Sequence, residues 1–407
     1  MKLELHWQIL IAMAAGAGFA LVLGENSRLV EPLGTVFFRL LKMVVVPLVV
    51  FSITVGVAGI GSPKNLGRLG LKTVSYYLAT SLIAILIGLT LVNLVEPGAS
   101  AELQEGRAAV SAETLKKPAS IQEQILRIIP VNPVAAVAEG DMLAIIFFCM
   151  IFGMALARGP REIREKLLPL IEAGFQIMMQ LTHLIIRLAP FGVFGLIVKM
   201  VNQNMGAGFF KAVGLYMFTI AAGLTLHLFV VLPLVYFVFM RRNPMRQFSR
   251  MAGALATVFA TSSSLATLPV TMECVERNAG VSNKIAGFVL PMGATVNMDG
   301  TALFECVGVL FIAQALGIPL GIDQQILVVV TALLASIGTA AIPSAGLVTI
   351  FIILDAVGLQ GPLVPLVVGT MLAVDRPLDM YRGIVNIFSD SVGAVIIAKS
   401  EGEALNS

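Results

Sequence analysis

Long uncharged apolar runs separated by short basic connections dominate the first 240 residues. Thr73–Val95 is 23 residues without a formal charge and Ala212–Met240 is 29, each long enough to cross a hydrocarbon core of about 30 Å as a helix. The pattern predicts membrane helices near residues 7–24, 33–60, 73–96, 132–157, 167–200 and 211–240. Lys2 and the run Ile9–Leu23 imitate a signal peptide. Glu4 and the lack of a polar start after Gly24 favour a retained first span instead.

After residue 241 the pattern changes. Gln247–Ala260 is helical in composition but only about 21 Å long, and it runs into Thr261-Ser262-Ser263-Ser264. Hydroxyl-rich backbone at membrane depth is tolerated only against protein or a wet cavity, so a re-entrant hairpin with its tip at Ser262–Ser264 is expected. Gln324–Leu354 carries no charge but is broken at Ser336–Thr339 and at Pro343–Gly346, which predicts a second hairpin. Each hairpin precedes a long helix with a polar interruption, about 283–315 (Asn297-Met298-Asp299-Gly300-Thr301) and about 362–398. Two such units in tandem are the footprint of an inverted repeat, whose interrupted segments mark substrate and ion sites in secondary transporters.

Composition narrows the class. Of 407 residues, 57% are hydrophobic and 13% charged, with a mean hydropathy of +0.93; soluble domains carry about a quarter charged residues. Three lone cysteines lack zinc, redox or disulfide-scaffold spacing, and a net charge of +3 excludes a nucleic-acid surface. Basic residues concentrate in the connections 61–72 (Lys64, Arg68, Lys72), 158–166 and 241–250, against Arg28, Lys199 and Lys211 in the alternate ones. The positive-inside rule therefore places the N-terminus and the basic connections in the cytoplasm.

The chemistry concentrates on the last helix. Asp375, Asp379, Arg382, Asn386 and Asp390 fall within an arc of roughly 80° at 100° per residue. A charge at bilayer depth costs at least about 2.5–3.5 kcal/mol, so this stripe must meet protein, ligand or ions. Three carboxylates face one guanidinium, with Arg376 off the stripe and Asp299 nearby, and the excess calls for cations. Asn297, Asp299, Asn386 and Asp390 are hard oxygen ligands for an alkali ion. The planar fork of Arg382 suits a carboxylate, Asp379 an ammonium, and the hairpin tips a second carboxylate. These features together point to an acidic amino acid moved with cations.

The motifs Thr261–Pro269, Asn297-Met-Asp-Gly-Thr301, Ser336-Ile-Gly-Thr339 with Ile342-Pro343, and Asp375-Arg376 through Asp390 resemble the dicarboxylate/amino acid:cation symporter family over nearly the whole chain, specifically excitatory amino acid transporters and their prokaryotic homologues. The resemblance implies an all-α polytopic membrane protein with eight transmembrane helices, two re-entrant helical hairpins and inverted repeats. It implies a sodium-driven aspartate/glutamate symporter working as an elevator, not an enzyme, and a homotrimer in a bacterial or archaeal cytoplasmic membrane with both termini cytoplasmic. Residues 1–70 would hold scaffold helices 1–2, 71–98 transport-domain helix 3, 99–128 an extracellular loop and 129–205 scaffold helices 4–5. Residues 206–400 would be the transport-domain core and 401–407 a cytoplasmic tail.

By the same resemblance, Arg382 takes the substrate side-chain carboxylate, Asp379 the amino group and Asn386 the main-chain carboxylate. Ser262, Ser263, Ser264, Thr301, Ile342, Gly346 and Gly383 complete the substrate pocket, with Ser264 and Ile342 closing it from the hairpin tips. One sodium site would use Gly293, Asn297, Asn386 and Asp390; a second Thr295, Ser336, Ile337 and Thr339 beside Met298; a third Tyr77, Thr80, Ser81, Asn297 and Asp299. No organic cofactor is implied; the partners are the acidic substrate, further copies of the chain and lipid, with no nucleic acid.

Glu305 matches the family's proton-carrying glutamate, and burial favours the neutral form of a lone carboxyl; proton co-transport is therefore expected beside sodium. The chain departs from the family pattern at Gly383 (usually Thr), Ser389 (usually Gly), Ala341 (usually Gly) and the bulky Phe388. A proton-coupled C4-dicarboxylate carrier is the alternative, disfavoured because such relatives generally lack counterparts of Asp379 and Asp390. His183 and His227 show no nearby ligand set in the sequence and are expected to be packing or interfacial groups. No nucleophile elbow accompanies the serine run.

Overall fold

The computed structural model describes residues 5–58, 68–101, 129–139, 141–202, 207–338, 345–359, 361 and 363–406. The described residues are helical throughout, with connecting turns and no strand. The helices are α1 (Leu5–Leu23), α2 (Glu31–Ala58), α3 (Arg68–Val95), α4 (Pro133–Glu139), α5 (Met142–Arg158), α6 (Arg161–Ile186), α7 (Ala189–Asn202) and α8 (Ala207–Leu226). A π turn at His227–Val231 carries α8 into α9 (Leu232–Met240). There follow α10 (Met245–Thr261), α11 (Ser264–Glu273), α12 (Asn283–Val296), α13 (Asp299–Ala315), α14 (Ile322–Gly338), α15 (Ala345–Ala356) and α16 (Val364–Ser400).

Four described segments are long and apolar enough to cross a membrane: Arg68–Val95, Lys211–Met240, Asn283–Ala315 and Val374–Ser400. Two expected spans are instead interrupted. The helix expected at 132–157 restarts at α5, where the Asp141 carboxylate accepts from the Ala144 N–H at 3.3 Å and caps the new N-terminus. The helix expected at 167–200 begins earlier, with Arg161 and Glu165 paired one turn apart at 2.6 Å. It breaks between Ile186 and Ala189, where Pro190 sits in the first turn of α7, a position that needs no backbone donor.

Two packing groups emerge. α2 lies against α5, α6 and α7, and α1 against α7; elsewhere α3 and α16 embrace α13. The buried face of α3 repeats at helical spacing through Thr73, Tyr77, Thr80 or Ser81, Ala84, Gly88 and Val92, and this stripe faces α13. Every residue of α13 except Gln314 is buried. A helix apolar all round belongs inside a bundle, and α13 is the axis of the second group.

Two short helices meet at a turn where the first hairpin is expected. α10 ends at Ser262 in the left-handed conformation (φ 52°), and the Ser263 hydroxyl accepts from the Ala266 N–H at 3.2 Å to start α11. α12 and α13 are separated at Asn297 and Met298, whose ψ angles of 85° and 52° leave the helical region. The last helix shows no such break: α16 runs unbroken through Pro377, correcting the expected interruption. Pro377 lies on the exposed face, while Arg382 stitches the buried face across it to Asp375 and Asp379.

One end of the second group is clasped by charge. Glu401 pairs with Arg68 at 2.8 Å and Lys72 at 2.7 Å, and these two cations lower its carboxyl to about 2. Glu403 accepts from the Ser282 N–H and hydroxyl. Arg242 and Arg250 donate to the Asn406 carbonyl at 2.6 and 3.0 Å. The chain's end is thus fastened to α3, to the basic connection after α9 and to the start of α12.

Candidate substrate and cation site

Consecutive turns of α16 present Arg382, Asn386 and Asp390 to the break between α12 and α13. All three are buried, as are Asp375 and Asp379, so the polar stripe faces protein along its whole length. Around Arg382, one nitrogen carries both ion pairs: Nη2 donates to Asp379 at 2.6 Å and Asp375 at 3.1 Å. Its Cζ stacks 3.9 Å from the Phe304 ring centroid, which fixes the guanidinium plane. Nε and Nη1 have no hydrogen-bond partner among the described residues. Two such donors on a buried guanidinium have the geometry to take a carboxylate, and leaving them unmet costs far more than a surface group would lose. Arg376 approaches the other Asp379 oxygen at 3.7 Å.

Gly346, at the start of α15, closes against this head. A Cβ there would lie 2.6 Å from Arg382 Nη1 and 3.1 Å from Phe304 Cδ1. Gly383 is explained similarly: a Cβ would lie 2.8 Å from Val258 Cγ2 of α10. Where the family usually carries a threonine, this chain lets the first hairpin pack directly on the α16 backbone.

Asn386 links the two parts of the site. Its carbonyl accepts from the Gly300 N–H at 2.8 Å, and its amide reaches Met298 Sδ at 3.2 Å and Thr301 Oγ1 at 3.4 Å. One turn on lies a cluster of oxygens. Asp299 Oδ1 accepts from Ser81 at 2.6 Å and Thr80 at 3.3 Å. Thr80 also stands 3.4 Å from Asn297 Oδ1, and Asn297 donates to Asp390 at 2.9 Å. Tyr77 donates to the Val289 carbonyl at 2.8 Å, and a Cβ on Gly293 would press on Asp390 and, at 2.7 Å, on the Tyr77 hydroxyl. Asp299 and Asp390 make no ion pair with any Lys or Arg among the described residues.

The structure thus gathers Tyr77, Thr80, Ser81, Gly293, Asn297, Asp299 and Asp390 in one place, and Met298, Thr301 and Asn386 beside it. It does not bring the expected second cation set together by hydrogen bonds. Thr295 returns its hydroxyl to Met292 at 3.0 Å and Ser336 to Leu333 at 3.0 Å, each within its own helix. Thr339, Ile342 and Ala341, and the side chain of Ile337, lie outside the described residues. At the first hairpin tip Ser262 and Ser264 are buried. Glu305 is buried on α13 and contacts the Thr349 hydroxyl of α15.

Sequence reasoning missed two participants. His227 Nε2 lies 3.0 Å from Asp299 Oδ2, fully buried, which corrects its reading as a packing group. The π turn that begins at His227 displaces the local register, and such turns recur at functional positions. Ser389 donates to Asp299 Oδ2 at 2.7 Å and accepts from Asn297 at 3.0 Å. Asp375, placed on the stripe but in no ligand set, holds Arg382. Only helical phase pointed to any of these; the tertiary pairings at 72 and 90 residues' separation carry no local signature.

A helical bundle with apolar spans buries an arginine beside an acidic oxygen cluster, an arrangement in keeping with the family the chain matches. The family model for the sodium:dicarboxylate symporter family matches residues 5–400, and the chain belongs to that family of multi-pass membrane proteins. Its relatives include excitatory amino acid transporter 3 of Homo sapiens, 34% identical over 98% of this chain and 86% of the relative. The proton/glutamate-aspartate symporter of Escherichia coli (strain K12) is 33% identical over 98% of this chain and 93% of its own. The proton/sodium-glutamate symport protein of Bacillus subtilis (strain 168) is 33% identical over 98% and 94%.

Proposed function

We propose that the protein takes up aspartate and glutamate by symport with sodium, with a proton carried as well. The observation that carries this reading is Arg382, buried and stacked, with Nε and Nη1 lacking partners among the described residues while Asp379 stands within reach of an ammonium. A carboxylate on the fork and an amine on Asp379 fit an α-amino diacid better than a plain dicarboxylate. The relatives' names, proton/glutamate-aspartate and proton/sodium-glutamate symport, support the same substrate class.

Sodium is the reading for Asp299 and Asp390 because hard oxygens converge there: two carboxylates, the Asn297 amide and the Thr80 and Ser81 hydroxyls. Two buried carboxylates without Lys or Arg partners would repel one another and lose hydration. A partly dehydrated alkali ion offsets both costs, and its presence alongside substrate would couple the two. Gly293, Asn386, Met298, Thr295 and Ser336 are assigned as further ion-site residues on the family pattern.

Glu305 is the proton carrier in this reading. Thr349 Oγ1 contacts Glu305 and also the Gly346 carbonyl at 3.0 Å. A protonated Glu305 would donate to Thr349 and leave the Thr349 hydroxyl proton to the Gly346 carbonyl. Protonation would thereby seat α15 against α13, next to the Arg382 receptor. In the elevator reading, α3 and α8–α16 travel as the transport domain against a scaffold of α1, α2 and α4–α7, in a homotrimer with cytoplasmic termini.

Proteoliposomes test this. Radiolabelled aspartate and glutamate should accumulate under an inward sodium gradient and faster with an acidic exterior. Succinate uptake alone, indifferent to sodium, would overturn the reading in favour of a dicarboxylate carrier.

A further inference from the structure

Ser389 stands where the family usually carries glycine, and its hydroxyl is not idle. It donates to Asp299 Oδ2 at 2.7 Å and accepts from Asn297 Nδ2 at 3.0 Å. The second amide proton of Asn297 goes to Asp390 Oδ1 at 2.9 Å. On the far side, Asp299 Oδ2 also meets His227 Nε2 at 3.0 Å. A continuous line therefore runs from Asp390 through Asn297 and Ser389 to Asp299 and His227, and every member is buried. The two oxygen sets assigned to cations share only Asn297; among the described residues, Ser389 is the one side chain that hydrogen-bonds both Asn297 and Asp299 without belonging to either set.

We propose that Ser389 is a positioning residue for cation coupling, its hydroxyl joining the Asp390 and Asp299 cation sets so that filling one prepares the other. This rests on the assignment of those sets to sodium. The mechanism is geometric. A cation bound at Asp390 fixes the carboxylate that accepts from the Asn297 amide, and so orients that amide, whose two protons are committed to Asp390 and Ser389. The amide orients the Ser389 hydroxyl, which must then give its single proton to Asp299. Asp299 is thereby held facing Thr80 and Ser81, ready for the second ion. With glycine at 389 the Asn297 proton and the Asp299 oxygen would lack this partner, and no solvent reaches them there.

The hydroxyl can be removed without moving the backbone that carries it. The Ser389 carbonyl accepts from Tyr76 at 3.2 Å, and the neighbouring Phe388 ring stacks on Phe248 at 3.9 Å between centroids. Both anchors are independent of Oγ. Ser389→Ala is therefore the clean perturbation, and Ser389→Gly tests the family's usual residue with some added helix flexibility.

The experiment uses the full chain, wild type and Ser389→Ala, in two measurements. Sodium titration of the thermal unfolding midpoint, with choline replacing sodium, reads ion binding without transport. Sodium titration of aspartate uptake in proteoliposomes reads half-saturation and Hill slope. Expected for Ser389→Ala are a midpoint lowered more in sodium than in choline, a sodium half-saturation raised about tenfold, an ordinary size for inter-site coupling, and a Hill slope falling toward one. A wild-type sodium response with half-saturation and slope in Ser389→Ala shifted by less than about twofold overturns the proposal alone. So does a midpoint lowered equally in sodium and choline, which would mark a merely structural hydroxyl. A wild type indifferent to sodium overturns both this proposal and the sodium assignment beneath it.

Discussion

Replacing Arg382 with lysine separates charge from shape at the substrate receptor. Arg382→Ala would strip two buried carboxylates of their partner, a loss of about 3–5 kcal/mol that confuses folding with binding. Lysine keeps the positive charge beside Asp375 and Asp379, which the guanidinium now serves through Nη2 alone at 3.1 and 2.6 Å. What it discards is the pair of donors Nε and Nη1, without partners among the described residues, and the planar stack on Phe304 at 3.9 Å. Losing one charge-assisted hydrogen bond to a substrate carboxylate costs about 1.5–3 kcal/mol, which is roughly 10–150-fold in affinity. The assay is the aspartate half-saturation of sodium-driven uptake, with the unfolding midpoint as a folding control. An intact midpoint with weakened aspartate and undiminished response to a small neutral amino acid is expected. If aspartate half-saturation moved by less than about threefold in a well-folded variant, the fork would not be the receptor.

Three further outcomes follow from the geometry. Glu305→Gln keeps a donor for the Thr349 hydroxyl but cannot release a proton; uptake should lose its dependence on external pH while keeping its sodium dependence, and an unchanged pH profile would remove Glu305 from the mechanism. Gly293→Ala would thrust a methyl group at Asp390 and to 2.7 Å from the Tyr77 hydroxyl, so sodium half-saturation should rise at least about tenfold, a shift of about 1.4 kcal/mol; a normal sodium titration would refute the site. Glu401 has a carboxyl lowered from its ordinary 4.5 to about 2 by Arg68 and Lys72. Its contribution to stability is thus fully present above about pH 4.5 and is lost as pH falls toward 2. The midpoint difference between wild type and Glu401→Gln should hold down to about pH 4.5 and shrink below it; a difference independent of pH through that range would show the pairs to be inert.

How much of this was legible in the chain depended on the range of the interaction. The stripe Asp375–Asp390 could be read directly, since a helix turns 100° per residue and the cost of charge in lipid dictates that such a face be buried; all five residues are buried. The hairpin tip at Ser262–Ser264 was legible for the same reason, because short helix length and exposed hydroxyl backbone leave few options. Helix breaks were less legible: Asp141 and Pro190 interrupt two expected spans by capping and backbone effects that an apolar average conceals. The polar interruption expected in the last helix failed for a reason local to that helix. Arg382 bridges Asp375 and Asp379 on the face opposite Pro377, and that buried pairing outweighs one missing backbone donor. His227 and Ser389 were out of reach altogether. Each bonds Asp299, yet in sequence one is a lone histidine in an apolar run and the other a serine where glycine is usual. Their meaning comes from the α12–α13 break, which brings Asp299 to the α8–α9 π turn and to α16 at once. A substitution from the family pattern therefore reads as noise along the chain and as a new bond between two clusters in space, which is why the departure at 389, rather than any matched motif, yields the sharper test of how this protein couples its ions.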